Sequence, residues 1–177
     1  MRHLLSLYLF LLLGFSSYSQ DVRAKLVNTA YKYVGVKEAT NNNDGKQVEY
    51  ILSTVHLKKG NPWCAALQAR IHDDVNIKNP HSGYSPDWFK TNVVYDKKKM
   101  SVTKFKAQNG QVFGLYIPSK GRIGHVGMIV GEYGNFYITV EGNTNDAGSD
   151  EGEGCYKKLR MKNSISKISD YCITIKN

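Results

Sequence analysis

Four side chains suited to acyl-transfer chemistry are spread along this 177-residue chain: Cys64, His125, Glu141 and Asn143. A thiolate is a strong nucleophile, and imidazole is the side chain best suited to take up and return its proton near neutral pH. An acid or amide beside the imidazole fixes its tautomer and supports the imidazolium form. These residue types indicate attack on an amide or ester carbonyl, provided that the fold brings them together.

Cys64 lies in the segment NPWCAAL, residues 61–67. Asn61 is expected to cap a helix whose first residue is Pro62 and which runs to about Val75. In the first turn, unpaired N–H groups and the helix dipole favour a thiolate, and the Cys64 N–H can donate to an oxyanion. A nucleophile there should be partly exposed. The alternative, a small apolar residue on a buried helical face, stays open from this stretch alone.

His125 is the second residue of the segment GHVGMIVG, residues 124–131. A single histidine is more often structural than catalytic. A three-residue hairpin loop with Gly134 in the left-handed position would place residue 125 opposite Glu141, with Asn143 on the same face. A two-residue loop would turn His125 to the opposite face. The three-residue loop therefore predicts a polar cluster of His125, Glu141 and Asn143.

The elements that carry these residues change in type along the chain. Helical spacing over residues 21–34 ends at Gly35, a second helix follows after residue 45, and Ser85-Pro86-Asp87 predicts a further short helix. After residue 100, short β-branched or aromatic segments separated by Gly- and Asn-rich turns predict strands over residues 111–117, 125–131, 135–142, 155–161 and 171–176. Helices first and strands later predict an α+β fold in which N-terminal helices pack on a C-terminal antiparallel β-sheet.

The N-terminus predicts export. A short basic start, an apolar run over residues 4–15 and small residues at Ser17 and Ser19 are typical of a cleaved signal peptide, which we place at residues 1–19. The apolar run is too short to span a bilayer. We therefore expect a periplasmic or secreted protein with residues 20–177 as a single domain, no membrane span and a monomeric state.

The chain carries 24 Lys and Arg residues against 15 Asp and Glu residues, a net charge of +9. This excess suits anionic partners such as cell-wall polymers, with solubility as the plain alternative. The lysines are scattered and no nucleic-acid motif accompanies them, so nucleic acid is not an expected partner. The two remaining cysteines, Cys155 and Cys172, are either a disulfide or two reduced core residues.

Three segments in order, GNPWCAA, GHVGMIVG and VEGNTND, resemble the CHAP family (cysteine, histidine-dependent amidohydrolases/peptidases), within the papain-like group that includes the NlpC-type cell-wall peptidases. The opening VGVKEATNNNDGKQVEYIL is similar to the entry segment of phage and bacterial cell-wall hydrolases. The similarity extends roughly from Tyr31 to Met161. Relatives commonly have Gly-Asp where this chain has Gly110-Gln111, which leaves the substrate contacts open.

The resemblance implies a papain-like α+β fold that cleaves amide bonds in peptidoglycan, with no metal or cofactor. Cys64 matches the nucleophile, His125 the general base, Glu141 the residue that orients the imidazole, and Asn143 the polar residue beside it. Trp63 and Asn61, which lie shortly before Cys64 in the chain, are candidate substrate contacts. Two alternatives remain: a catalytically silent cell-wall-binding module of the same fold, and a secreted antibacterial effector with the same chemistry.

Overall fold

The computed structural model describes residues 20–145 and 152–172 of the chain. The predicted signal peptide, residues 1–19, lies outside the described residues. Three α-helices come first: α1 over residues 20–33, α2 over Lys46–Ser53 and α3 over Cys64–Asp73. The strands follow: β1 Val93–Asp96, β2 Val112–Ile117, β3 Arg122–Tyr133, β4 Phe136–Thr144, β5 Gly154–Met161 and β6 Lys167–Ser169.

These strands form one six-stranded sheet within the described residues, in the order β1-β6-β2-β3-β4-β5, and every pairing is antiparallel. The predicted α+β class, with N-terminal helices packed on a C-terminal antiparallel sheet, is confirmed. The short strands β1, at one edge of the sheet, and β6, next to it, were not predicted from the sequence. Residues 171–172, where a strand was predicted, form a short 3₁₀ turn, and the rest of that predicted strand lies outside the described residues.

Helix α3 lies at the centre of the domain. Every residue from Cys64 to Ala69 is buried, as are Ile71 and His72. Three alanines keep the helix narrow, so that the sheet and α2 can approach it closely. A Cβ at Gly142 in β4 would lie 2.6 Å from both Leu67 Cδ2 and Trp63 Cζ3, closer than van der Waals contact allows. The absence of a side chain at Gly142 therefore sets the distance between the helix of Cys64 and the sheet.

The core has two parts. The larger lies between the helices and one face of the sheet, and includes Leu26 of α1, Ile51 of α2 and Val126 of β3. The smaller lies on the other face, where Phe113 and Ile168 pack with partly buried side chains of the connector before β2. No helix among residues 20–145 and 152–172 is long and apolar enough to cross a membrane.

Cys155 and Cys172 are both buried and unbridged. Of the two alternatives that the sequence left open, the structure has the reduced pair. The fold is therefore held by packing and by the sheet, without a covalent cross-link between Cys155 and Cys172.

Candidate active site

Cys64 is the first residue of α3. The helix begins at Cys64 and not at Pro62, and Trp63, with φ −119° and ψ 9°, is its N-cap residue without a side-chain cap. The predicted cap by Asn61 is wrong, because the Asn61 Nδ2 donates to the carbonyl of Lys58 at 2.9 Å. The N–H groups of a first helical turn have no acceptor within the helix. The Cys64 N–H is one of these.

Asn143 holds this helix start in place. Its Oδ1 accepts the backbone N–H of Trp63 at 3.0 Å, and its Nδ2 donates to Asn43 Oδ1 at 2.9 Å and to the Gly152 carbonyl at 3.2 Å. The backbone of Asn143 is left-handed, with φ +54°, at the end of β4. Asn143 therefore joins the segment before Cys64 to the loops of Asn43 and Gly152, and none of these hydrogen bonds goes to His125.

Trp63 does not face solvent. Its side chain is fully buried, and its indole N–H donates to Glu38 Oε1 at 2.9 Å. The ring packs in the core between α3 and β4. The structure thus gives Trp63 a positioning role at the start of α3, and the ring offers no surface to a substrate.

His125 lies in β3, on a hairpin whose register differs from the prediction. Tyr133 pairs with Phe136, so the loop has two residues and not three. A bulge between the pairs Ile129–Thr139 and Gly131–Ile138 then inserts one extra residue into β3. The bulge reverses the effect of the shorter loop, because each shift by one residue exchanges the two faces of a strand. His125 therefore still lies on the face that carries Glu141.

The carboxylate of Glu141 approaches His125 diagonally. Met128 pairs with Val140, which sets position 141 opposite Gly127 and not opposite residue 125. A Cβ at Gly127 would lie 2.7 Å from Glu141 Cγ. Because Gly127 has no side chain, Glu141 extends across it, and its Oε2 lies 2.9 Å from Nε2 of His125.

Glu141 is fully buried and receives several hydrogen bonds. Arg160 Nε donates to Oε1 at 2.8 Å and its Nη2 donates to Oε2 at 2.6 Å, while the Thr139 hydroxyl donates to Oε1 at 2.6 Å. Burial acts to raise the pKa of Glu141, but Arg160 and then His125 outweigh it and lower that pKa below its ordinary value. Glu141 is therefore a buried carboxylate that stays ionised.

Arg160 was missed by the sequence reasoning. It lies in β5, where Arg160 pairs with Tyr137 and Lys158 with Thr139. Alternation along paired strands puts residues 156, 158 and 160 on the face of residues 137, 139 and 141. The sequence signal for this contact is a basic residue at an alternating position of β5. It identifies Arg160 as a partner of Glu141 only when the register between β4 and β5 is known.

The thiol of Cys64 and the imidazole of His125 influence each other strongly. Burial is the largest influence on the Cys64 pKa and raises it, but the neighbouring imidazole of His125 lowers it overall, helped by Ser85 and the Val126 N–H. Burial likewise lowers the pKa of His125, yet Cys64 and Glu141 raise it above its ordinary value. Both shifts favour a thiolate facing an imidazolium.

Glu141 occupies Nε2 of the ring, which leaves Nδ1 for the thiol. No described polar atom is aligned with Nδ1 for a hydrogen bond. The thiol and the ring thus influence each other's pKa values without an aligned hydrogen bond between them, as is often so in active sites before substrate binds.

The other cysteines and a second buried histidine behave differently. Burial raises the pKa of Cys155 to about 12 and that of Cys172 to about 11, as expected for packing cysteines. Burial lowers the pKa of His72 to about 4, and its Nδ1 bonds the Gln68 carbonyl at 2.7 Å. Cys64 and His125 are therefore distinguished from residues of their own type by charge interactions that overcome burial.

Cys64 is only 4% exposed, whereas the sequence reasoning expected a partly exposed thiol. Ser85, itself buried, covers it, with its hydroxyl oxygen 3.7 Å from the sulfur. Ser85 begins the predicted short helix, a 3₁₀ turn over Ser85–Phe89. The sequence reasoning assigned no functional role to this serine, which comes 21 residues after Cys64.

No group of three or more His, Cys, Asp or Glu side chains in the described part of the chain is arranged to hold a metal ion. The site instead contains a line of alternating charge: thiolate, imidazolium, carboxylate and guanidinium. Such a line can generate a nucleophile, hold its proton on an adjacent base and fix the orientation of that base.

Comparison with protein-family profiles and with curated proteins finds no match for this chain. Among solved structures, a crystal structure of an NlpC/P60 family protein from Bacillus cereus is similar over 85% of this chain, with 15% sequence identity and a TM-score of 0.49. The chain spans 40% of the length of that protein.

Proposed function

We propose that this protein is an exported cysteine hydrolase of the CHAP or NlpC type that cleaves amide bonds in the stem peptides of peptidoglycan. The observation that carries the proposal is the pairing of Cys64 with His125. Cys64 lies at a helix start, and His125 lowers its pKa in spite of burial, while the other ring nitrogen is held by Glu141. A cysteine that only fills space in the core does not need a neighbouring histidine that lowers its pKa.

The reaction is a two-step acyl transfer. The Cys64 thiol gives its proton to Nδ1 of His125, and the sulfur attacks the peptide carbonyl carbon to form a tetrahedral intermediate. The intermediate collapses as the C–N bond breaks, and the imidazolium returns the proton to the leaving amine. Water then attacks the thioester, with His125 as the base, which releases the acid and restores the thiol.

Two groups near the sulfur are our candidates for donating to the oxyanion of these intermediates. One is the Cys64 N–H at the start of α3, and the other is the Ser85 hydroxyl, 3.7 Å from the sulfur. Donors preorganised around a developing oxyanion stabilise the transition state more than the ground state. Ser85 is our candidate for the second donor.

Arg160 offsets the charge that a thiolate–imidazolium pair beside Glu141 would bury. A thiolate, an imidazolium and a carboxylate together carry a net negative charge, whose burial is costly. Arg160, which donates to both oxygens of Glu141, brings the net charge of the four groups to zero. We assign it a positioning role, through Glu141, on the imidazole.

The choice of substrate rests on the resemblance of the segments around Cys64, His125 and Glu141 to cell-wall hydrolases, and on the net charge of +9, which suits an anionic wall polymer. A silent wall-binding module would suit the positive charge equally well. It would not require a cysteine with a lowered pKa, so the enzyme is the better proposal.

Digestion of purified peptidoglycan tests the proposal. The wild-type protein should release soluble fragments that mass spectrometry identifies: free stem peptides for an amidase, shortened stems or separated dimers for an endopeptidase. Cys64→Ala should release none while keeping the thermal unfolding midpoint, and Cys172→Ala, which removes a thiol with a raised pKa, should retain activity. Release of fragments by Cys64→Ala at the wild-type rate would rule the proposal out.

A further inference from the structure

Arg122 and Tyr84 form a partly exposed pair that the reaction described above does not use. The guanidinium carbon of Arg122 lies 4.8 Å from the centroid of the Tyr84 ring, a cation–π distance. Its Nη1 donates to the carbonyl of Ile123 at 3.0 Å, and 49% of Tyr84 is exposed. The stacked ring and this hydrogen bond hold the guanidinium in one orientation.

This pair lies next to the candidate active site on two sides. Tyr84 directly precedes Ser85, whose hydroxyl oxygen is 3.7 Å from the Cys64 sulfur. Leu115 of β2 pairs with His125 of β3, and Ile117 of β2 pairs with Arg122 of β3, with a bulge between the two pairs. Residues 115 and 117 point to the same face of the sheet, so their partners His125 and Arg122 also share that face.

The spacing suits recognition of a peptide. Arg122 and His125 are three residues apart, which is at most about 10 Å along a strand. One residue of an extended substrate spans about 3.5 Å. Along the strand, the positions of Arg122 and His125 are therefore separated by two or three residues of an extended substrate.

Arg122 differs from the other arginines of the described residues in lacking a carboxylate partner. Arg23 pairs with Asp170, Arg70 with Asp74 and Arg160 with Glu141. Arg122 forms no ion pair with any carboxylate among residues 20–145 and 152–172. A guanidinium presents planar, paired N–H groups that match a carboxylate, and in Arg122 no carboxylate of the described residues uses them.

We propose that Arg122, stacked on Tyr84, binds a free carboxylate of the substrate peptide and so selects stems that carry an ionised carboxyl near the scissile bond. This inference rests on the proposed hydrolase function, since it names the substrate feature that the same site recognises. Tyr84 acts as the positioning residue that keeps the guanidinium beside the candidate active site.

The test uses a disaccharide tetrapeptide from peptidoglycan, which contains both the sugar–peptide amide and the stem bonds, and the same compound with its carboxyls converted to amides. The wild-type protein should cleave the free acid with a kcat/KM at least about tenfold higher than the amide. Arg122→Gln should lose about 10- to 100-fold on the free acid, mostly in KM, and little on the amide, with Arg122→Lys between them.

Arg70 offers a matched control. It also stacks on a partly exposed tyrosine, with its guanidinium carbon 5.2 Å from the Tyr50 ring centroid. It follows Cys64 by six residues, which turns it about 240° around the helix axis from the thiol. Arg70→Gln removes the same charge and should keep the preference for the free acid.

Equal losses on both substrates in Arg122→Gln, or no preference in the wild-type protein, would overturn the inference. If the wild-type protein cleaves neither compound, the digest of whole peptidoglycan, which also contains the cross-links between stems, decides whether the proposed hydrolase function fails. Titration calorimetry with the same two compounds then decides the carboxylate site separately. Binding of the free acid that weakens at least tenfold in Arg122→Gln would support the site without the reaction. Binding unaffected by the substitution, or absent, would overturn it.

Discussion

Glu141 reaches His125 across a residue without a side chain. The carboxylate Oε2 lies 2.9 Å from Nε2 of the ring, and a Cβ on the intervening Gly127 would lie 2.7 Å from Glu141 Cγ. The two strands are offset so that Glu141 is diagonal to His125 instead of directly opposite it. This contact, together with the position of Cys64 at the start of α3, defines the geometry of the candidate active site.

Gly127→Ala should therefore disturb the contact between Glu141 and His125. The new methyl would meet Glu141 Cγ and Phe113 Cε1, both at 2.7 Å, and must displace one of them. We expect a loss of unfolding free energy of about 1–3 kcal/mol, measured by urea denaturation, and a fall in peptidoglycan hydrolysis larger than the unfolded fraction explains. Gly131→Ala on the same strand is the control, since its methyl would meet only the side chain of Ile138, at 3.3 Å or more. Full activity in Gly127→Ala would show that the Glu141–His125 contact is dispensable.

The sequence predicts the parts of this site that depend on local pattern. A cysteine at a helix start and a histidine on a strand follow from hydrophobic periodicity and turn residues, and the structure has both. The hairpin register was wrong in its loop length, and the β-bulge beside Gly131 offsets that error. A bulge depends on how a strand curves over the core, which a pattern of alternating residues does not record.

The unpredicted parts depend on contacts between segments distant in the chain. Arg160 reaches Glu141 only through the β4–β5 pairing, and Asn143 bonds the Trp63 N–H across 80 residues. Asn61 is a sound capping residue by type, but Trp63 takes the cap position because Asn143 holds its backbone. Tertiary hydrogen bonds here override a local preference.

The reactivity of Cys64 toward a small alkylating reagent should follow its lowered pKa. In the folded protein, iodoacetamide should modify Cys64 at a pH below that at which ordinary thiols react, and should spare Cys155 and Cys172, whose pKa values are raised. Glu141→Gln removes a charge that raises the pKa of His125. The imidazolium then becomes less stable, so the pKa of Cys64 rises and the alkylation profile moves to higher pH.

Peptide mapping by mass spectrometry identifies the modified residue at each pH. The same reaction in urea serves as the control, because all three cysteines should then react with one ordinary profile. An unchanged profile in folded Glu141→Gln would contradict the coupling of Glu141 to the thiol through His125.

Arg160 and Glu141 should show strong coupling in stability. Removing one partner of a buried ion pair leaves an uncompensated charge, which costs about 3–5 kcal/mol. We therefore expect Arg160→Gln to lose about that much unfolding free energy, while the double variant Arg160→Gln/Glu141→Gln loses less than the sum of the two single variants. Urea denaturation of the four proteins at neutral pH gives this cycle. Additive losses would indicate that the bidentate contact contributes nothing beyond packing.

The pH dependence of stability should follow from the same carboxylate. The pKa of Glu141 is lowered in the folded protein, so its ionised form stabilises the fold above the ordinary carboxyl pKa, and this stabilisation is lost as the pH falls through the lowered value. Unfolding free energies measured down the acid range should fall more steeply for the wild-type protein than for the double variant, which lacks the group.

Ser85→Ala should separate transition-state stabilisation from substrate binding. The Ser85 hydroxyl is 3.7 Å from the Cys64 sulfur, and we propose that it donates to the oxyanion of the tetrahedral intermediate. Loss of one donor to such an oxyanion lowers kcat by about 10²- to 10³-fold in well-formed sites, and we expect at least a tenfold fall here with KM little changed. Ser82→Ala is the control, since the Ser82 hydroxyl lies three residues earlier and donates to Asp87 at 2.6 Å. A fall confined to KM, or an equal fall in both variants, would assign Ser85 to packing of the 3₁₀ turn over the thiol and leave the second oxyanion donor to another residue.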